Sequence, residues 1–181
     1  MDHFSSSPSE QDMLTPLPYS ATDLVTPLTL LLSSVCDRTE WEYGESWIPD
    51  ATRPILELSP AWCVTTYLNM NQAIPWMQFQ VCSKSFVLRP GEGLPGRVWR
   101  SQQPEWLENV SAQSETYFLR NQIAKALSVK AGLGIPILLN SQVLAVIVFF
   151  MSKERSPDAK LMEQTQAIVA NFQHDYLAQD S

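Results

Sequence analysis

The sequence predicts an α+β domain: a central antiparallel sheet flanked by helices, with the first and last helices packed together. Three observations lead there. Strand-like segments at residues 40–48 and 55–64 are separated by Pro49-Asp50 and by Thr52-Arg53-Pro54, residues that favour turns. A second pair, 133–139 and 142–152, is joined by Asn140-Ser141. Its second strand is apolar on both faces, which calls for a central position covered on both sides. Amphipathic helical periodicity brackets these strands at both ends of the chain.

Taken in order, residues 1–21 (with Ser5-Ser6-Ser7-Pro8-Ser9, Pro16 and Pro18) are expected to be a disordered N-terminal tail. So polar a segment buries too little apolar surface to offset its ordering entropy. One domain is expected over 22–181. The first helix should open at Thr26 as N-cap, with Pro27 at the first helical position, where its missing N–H would have had no partner. Leu28, Leu31, Leu32 and Val35 then give it one apolar face, ending near Arg38. In 40–48, Trp41, Tyr43 and Glu45 alternate with Glu42, Gly44 and Ser46, the period of a half-buried strand. Residues 67–85 are ambiguous and partly helical, with Pro75 limiting regularity. A short strand at 86–88 and a short helix at 94–101 opened by Pro95 follow. Residues 115–130 form a helix in this reading, with Phe118, Ile123, Leu127 and Ala131 near one side and Arg120, Lys125 and Lys130 reaching water; Gly132 terminates it. Ser156-Pro157-Asp158 opens the last helix, with its cap, a proline and an acid in the first turn, and Leu161, Thr165, Ile168, Phe172 and Tyr176 give it a nearly heptad stripe.

Composition narrows the function. A chain of 181 residues, 45% apolar and 17% charged, suits one globular domain with a substantial core. Its net charge of -7 disfavours nucleic acid and anionic membrane surfaces, both polyanions, as partners. Residues 1–33 contain no Lys or Arg, and the longest apolar run, 143–151, has nine residues. Neither a secretory signal nor a membrane span is indicated, so a cytoplasmic protein is expected. Cys36, Cys63 and Cys82 lack metal or redox-dithiol spacing and are expected to be free thiols. The two histidines, His3 and His174, fall in the tail and on the last helix, so no catalytic triad, Cys–His pair or imidazole-rich metal site can be assembled. Glu42, Glu45, Glu105 and Glu108 are expected on solvated faces, and Glu154 and Asp158 at the dipole of the last helix. No catalytic residue, cofactor or metal is assigned.

The densest local signal is Gly91-Glu92-Gly93-Leu94-Pro95-Gly96-Arg97-Val98-Trp99, followed by Gln103-Pro104-Glu105-Trp106. Gly91, Gly93 and Gly96 match the dinucleotide fingerprint literally. The chemistry does not: Pro95 removes a donor where pyrophosphate needs one, Glu92 sets a negative charge beside it, and no crossover follows promptly.

That stretch, together with Trp41-Glu42-Tyr43-Gly44-Glu45-Ser46-Trp47-Ile48-Pro49, Leu56-Glu57-Leu58-Ser59-Pro60-Ala61-Trp62, Ala131-Gly132-Leu133-Gly134-Ile135-Pro136-Ile137 and Val143 to Phe150, resembles the GAF sensory domains of bacterial two-component signalling proteins. The resemblance covers roughly residues 26–176 and implies a GAF/PAS-like fold acting as a stand-alone, noncatalytic signalling module. Such a module senses a small molecule or docks on a partner in trans, such as a histidine kinase or regulator. It implies a pocket between the sheet and the helices on one face, built from Phe86, Trp99, Trp106, Tyr117, Phe118, Arg120, Ile123 and Phe149, although the same aromatics could simply fill core. An inward Arg120 without an acidic partner would point to an anionic ligand. It also implies an interface, homodimeric or with the partner, through Leu28, Leu31, Leu32 and Val35 on the first helix and Leu161, Ile168, Phe172 and Tyr176 on the last. Intramolecular packing would show the same periodicity.

Three branches of the family fit poorly. GAF-type reductases of free methionine-R-sulfoxide carry a cysteine in the glycine-rich loop, where this chain has Pro95. Cyclic-nucleotide-binding members have an Asn-Lys pair, whereas Asn121 is followed here by Gln122, and bilin-binding members use a cysteine near the helix that corresponds to 115–130, where this chain has none, nor any after Cys82. The stretch from Trp41-Glu42-Tyr43 through Leu58 and Trp62 is also similar to the GAF-like N-terminal domain of plant basic helix-loop-helix regulators, which implies a transcription-cofactor or structural interaction role as an alternative. No basic DNA-reading segment accompanies it.

Overall fold

The structure, a computed structural model, describes residues 19–177. The tail expected at 1–21 therefore lies outside the described residues except for Tyr19, Ser20 and Ala21. In chain order the elements are α1 (Val25–Arg38), β1 (Tyr43–Pro49), β2 (Leu56–Val64), α2 (Met70–Ser83), β3 (Val87–Leu88), α3 (Gly93–Ser101), β4 (Glu105–Leu107), a 3-10 turn (Val110–Ala112), α4 (Asn121–Ala126), β5 (Gly132–Leu139), β6 (Gln142–Phe150), α5 (Ala159–Phe172) and a π-helical turn (Gln173–Leu177). The strands form one sheet in the order β3-β2-β1-β6-β5-β4, antiparallel throughout. This is the α+β architecture the sequence predicts.

Each face of the sheet carries its own core. On one, α1 and α5 pack together over Ile48, Ala61, Ile135, Ile147 and Phe149. On the other, α2, α3 and α4 cover Tyr43, Trp47, Leu56, Val146, Val148 and Phe150. β6 lies between β1 and β5 and is buried from Val143 onward, as its unbroken apolar run requires. β1 is buried on both faces too, so its polar alternation does not mark a solvent side. Ser46 turns toward the α1 layer and donates to the Ala61 carbonyl at 2.9 Å. Trp41, just before the strand, joins the α1–α5 core and donates to Thr165 Oγ1 at 3.0 Å.

Several local expectations change. α1 starts at Val25 rather than after a Thr26 cap. Its entry is organised upstream, where Ser20 and Asp23 exchange backbone-to-side-chain hydrogen bonds. The ambiguous 67–85 segment contains a regular helix: Asn69 and Gln72 form a reciprocal capping box, and Pro75 is accommodated within α2. β4 was not anticipated from sequence. The long helix expected over 115–130 shrinks to α4, preceded by a separate turn in which the Ser114 carbonyl accepts from Tyr117 N–H and Phe118 N–H and its hydroxyl accepts from Tyr117 N–H. Gly132 terminates no helix, since it lies in β5, and a Cβ there would come within 2.8 Å of the Phe150 ring. Asp158, not Ser156, caps α5, accepting from Leu161 N–H at 2.9 Å.

The glycine-rich stretch is a turn that launches α3. Gly91 and Gly93 have φ of 87° and 62°, which only glycine adopts freely. Gly91 N–H donates to the Gly96 carbonyl at 2.8 Å, and the Glu92 carboxylate accepts from Arg89 N–H at 2.9 Å. Both residues that counted against a phosphate cradle are thereby used structurally: Glu92 holds the turn, and Pro95 is buried in the first turn of α3.

Candidate functional site

The centre of the α2–α4 layer is an ion pair in an aromatic box. On β1, Tyr43, Glu45 and Trp47 are two apart and share a face. Arg120 immediately precedes α4 and reaches Glu45 through both terminal nitrogens, at 3.0 Å and 2.6 Å. Glu45 is 0% and Arg120 2% exposed. The carboxylate also accepts from Tyr43 OH at 3.0 Å and Trp47 Nε1 at 2.8 Å, while Arg120 Nη1 donates to Ser83 Oγ at 2.9 Å. The guanidinium carbon lies 4.8–5.6 Å from the centroids of Trp47, Phe79, Phe118 and Phe150. Burial pushes the Tyr43 phenol well above its ordinary range, and the Glu45 charge pushes it the same way.

Around the pair the rings interlock. Tyr43 stacks on Trp76 (centroids 5.3 Å apart, 11° between planes) and meets Phe79 edge-on at 5.7 Å. Phe150 meets Phe79 and Phe118 edge-on at 5.4 and 6.0 Å. The region where the family resemblance implied a ligand is thus occupied by this chain's own side chains.

The residues expected to line a pocket are divided by the sheet. Trp99, Phe118 and Arg120 lie in the α2–α4 layer, with Phe86 and Ile123 packed at its margin. Phe149 belongs to the opposite core, and Trp106 packs against that core, 5.2 Å from Trp41, donating to the Arg155 carbonyl. Tyr117 is 41% exposed, beneath the Arg97 guanidinium at 3.7 Å. Arg120 does not reach water, and Glu45 is no solvated face; because Glu45 neutralises Arg120, the argument for an anionic ligand lapses. Glu42 is likewise engaged, accepting from Trp76 Nε1 at 3.2 Å and Ser152 Oγ at 2.8 Å, and Glu105 forms a two-pronged pair with Arg97. The sequence reading missed the pair's surroundings, though a carboxylate flanked at two residues on each side by Tyr and Trp was a usable signal.

Of the expected interface residues, Leu28, Leu31, Leu32, Val35, Leu161 and Ile168 are buried within the α1–α5 core. Phe172 and Tyr176 are only partly buried, their rings stacked at 5.3 Å. With Pro27 and the exposed Leu30 they line a groove of about 570 Å³ rimmed by Asp23 and Asp175. His174 is exposed next to Asp175. On the other layer, the outer face of α2 displays Met70, Ile74, Met77 and Val81, all exposed. No helix among the described residues is long and apolar enough to cross a membrane.

A six-stranded antiparallel sheet covered by helices on both faces, with a packed and paired interior, defines an α+β domain. The sequence profile of the GAF domain matches residues 22–172, and the chain belongs to that family. Among solved structures it is similar to a GAF domain/HD domain protein from Geobacter sulfurreducens (14% identity, TM-score 0.61, covering 84% of this chain and 90% of that one). It is also similar to a type II free methionine-R-sulfoxide reductase from Thermoplasma acidophilum (10% identity, TM-score 0.58, covering 86% and 96%). At these identities the likeness is one of fold. Among curated proteins, a 60-residue stretch is 37% identical to the anthocyanin regulatory Lc protein of Zea mays and one of equal length 38% identical to transcription factor GLABRA 3 of Arabidopsis thaliana. Each match covers 33% of this chain and only 10% or 9% of the relative.

Proposed function

We propose that this protein is a noncatalytic GAF signalling module of the cytoplasm that acts by docking on a signalling partner, such as a histidine kinase or regulator of a two-component pathway. The observation that carries this reading is the filled interior: Glu45, Arg120 and their aromatic box occupy the space between the sheet and α2–α4. Apolar surface is instead offered outside, in the groove of Leu30, Phe172 and Tyr176, whose acidic rim suits an apolar helix carrying a basic residue. A reductase reading is disfavoured because Pro95 takes the loop cysteine's place, and Cys36 and Cys63 lie in the opposite core. A transcription-cofactor role, suggested by the short matches to the two plant regulators, would use the same kind of docking.

The test is capture with a partner-sized panel of kinases and regulators from the source cell, comparing the natural chain with Leu30→Glu. Loss of one partner with Leu30→Glu, at unchanged circular dichroism, supports docking. A stoichiometric small molecule in native mass spectrometry of the gently purified chain would replace docking by ligand sensing.

Self-association has a different surface in its favour. Met70, Ile74, Met77 and Val81 are spaced four, three and four residues apart, the seam of a paired helix, and α2 contains no charged residue. Two copies of a chain with net charge -7 can meet there without opposing like charges. Sedimentation should show a dimer that Met77→Glu dissociates; a monomer at high micromolar concentration removes it.

A further inference from the structure

Cys36, in the last turn of α1, and Cys63, near the end of β2, place their sulfurs 3.5 Å apart in the α1–α5 core. Both backbones are fixed there. Thr65 Oγ1 donates to the Cys36 carbonyl at 3.3 Å, and Thr66 Oγ1 donates to Asp37 Oδ1 at 3.2 Å, so the end of α1 is fastened to the chain leaving β2. A disulfide has an S–S length of about 2.05 Å, so the sulfurs must close by only about 1.5 Å. From this geometry we propose that Cys36 and Cys63 are a reversible oxidation site, joined into an intramolecular disulfide by a hydroperoxide.

The two thiols are not equivalent. Cys63 retains 9% exposure and Cys36 has none. When Cys63 ionises, the Cys36 thiol donates to it, with further donation from the Ser33 hydroxyl and the Gly44 N–H; these hold the Cys63 thiol below its ordinary range against the opposing effect of burial. The same contact and burial push Cys36 well above its range. Cys63 is therefore the attacking thiol and Cys36 the resolving one. The Cys63 thiolate attacks the peroxide, an S–O bond forms as the O–O bond breaks, and the departing oxygen leaves as water once protonated. The Cys36 sulfur, giving up its proton, then attacks the sulfenic sulfur and expels a second water. Two thiols are oxidised by two electrons and one hydrogen peroxide is reduced to two waters. The exposed third cysteine, Cys82, has no thiol neighbour of this kind among the described residues.

Cys36 shares α1 with the groove residues Pro27 and Leu30, but the proposal is read out by thiol chemistry alone, so it stands or falls without any docking measurement. The product would pin α1 covalently to the sheet. The experiment uses the full chain with Cys82→Ser, reduced, desalted and titrated with hydrogen peroxide. Expected are complete loss of the two remaining thiols, a mass decrease of two hydrogens, a Cys36–Cys63 linked peptide under non-reducing digestion, and restoration by dithiothreitol. Adding Cys36→Ser should divert oxidation to a dimedone-reactive sulfenic acid on Cys63. Should that double variant fail to fold, the natural chain supplies the readout: its oxidised form should melt higher than its reduced form and carry the same linked peptide. Over-oxidation of Cys63 with Cys36 still free, cross-linking between chains only, or both thiols persisting at peroxide concentrations that oxidise Cys82 in the natural chain would each overturn the proposal.

Discussion

Replacing Arg120 by Met tests whether the interior is a structural device or a ligand site. The substitution keeps length and packing but strands the Glu45 carboxylate with only Tyr43 and Trp47 as donors, at zero exposure. Breaking one partner of a buried pair costs about 3–5 kcal/mol, and for a chain of this size each kcal/mol lowers Tm by about 2–4 °C, which gives a fall of roughly 6–20 °C. Glu45→Met alone should be similarly damaging, because the guanidinium retains only Ser83 Oγ and the ring faces. The double variant should lie within about 1 kcal/mol of the natural protein, since a hydrophobic replacement of both charges is commonly tolerated. Urea unfolding followed by tryptophan fluorescence is suited to the measurement, because Trp47 is bonded to the carboxylate. Additive single losses in the double variant, or an Arg120→Met protein as stable as the natural one, would refute a neutralised buried pair. The second result would instead suit an arginine held for an anionic ligand.

Three further outcomes follow from other parts of the structure. Gly96→Ala should destabilise by more than about 2 kcal/mol in thermal melts, because its Cβ would collide with the Arg89 carbonyl, a backbone atom that cannot swing away. Asp158 is held below its ordinary range by the Leu161 N–H and by Arg155, so its contribution to stability is present above the unfolded carboxyl's range and fades as pH falls through the lower folded value; Asp158→Asn should flatten that acid limb in melts taken across pH 2–5. Replacing all three cysteines by serine should leave partner capture unchanged, and neither form should turn over free methionine sulfoxide in a thiol-coupled assay.

The sheet was legible because its signals are redundant. β6 is apolar at every position from Val143 to Phe150, and only a central strand covered on both faces can use such a run. The helix over 115–130 is shorter than periodicity suggests: Phe118 and Ile123 are spaced for one helical face, but the chain makes a separate turn at Ser114 and leaves helical geometry at Arg120, and side-chain periodicity carries no signal for such a break. Asn69 and Gln72 are a capping box readable from their spacing, whereas Pro75, six residues after the cap, is a residue that ordinarily interrupts a helix and so masks α2 in the sequence. The site was half legible for a similar reason: Glu45 looked polar, and polarity alone cannot reveal a partner 75 residues away. Arg120, on which the anionic-ligand argument turned, is paired with Glu45, so the unpaired guanidinium that the argument required is not there.

The interior pair and the surface groove lie on opposite faces of the sheet, which makes their effects separable. Glu45 and Arg120 tie β1 to the entry of α4, whereas Leu30, Phe172 and Tyr176 belong to α1, α5 and the turn that follows. Arg120→Met should thus lower stability yet, at a temperature where the variant remains folded, leave the dissociation constant of a docked partner unchanged. Leu30→Glu, at a position 67% exposed, should do the reverse: stability within about 0.5 kcal/mol of the natural protein, with docking lost. Measuring both quantities on both variants by calorimetry gives four values. If Arg120→Met weakened docking in a fully folded sample, the sheet would be transmitting changes between its two cores, and the filled interior would be part of the signalling path rather than only its support.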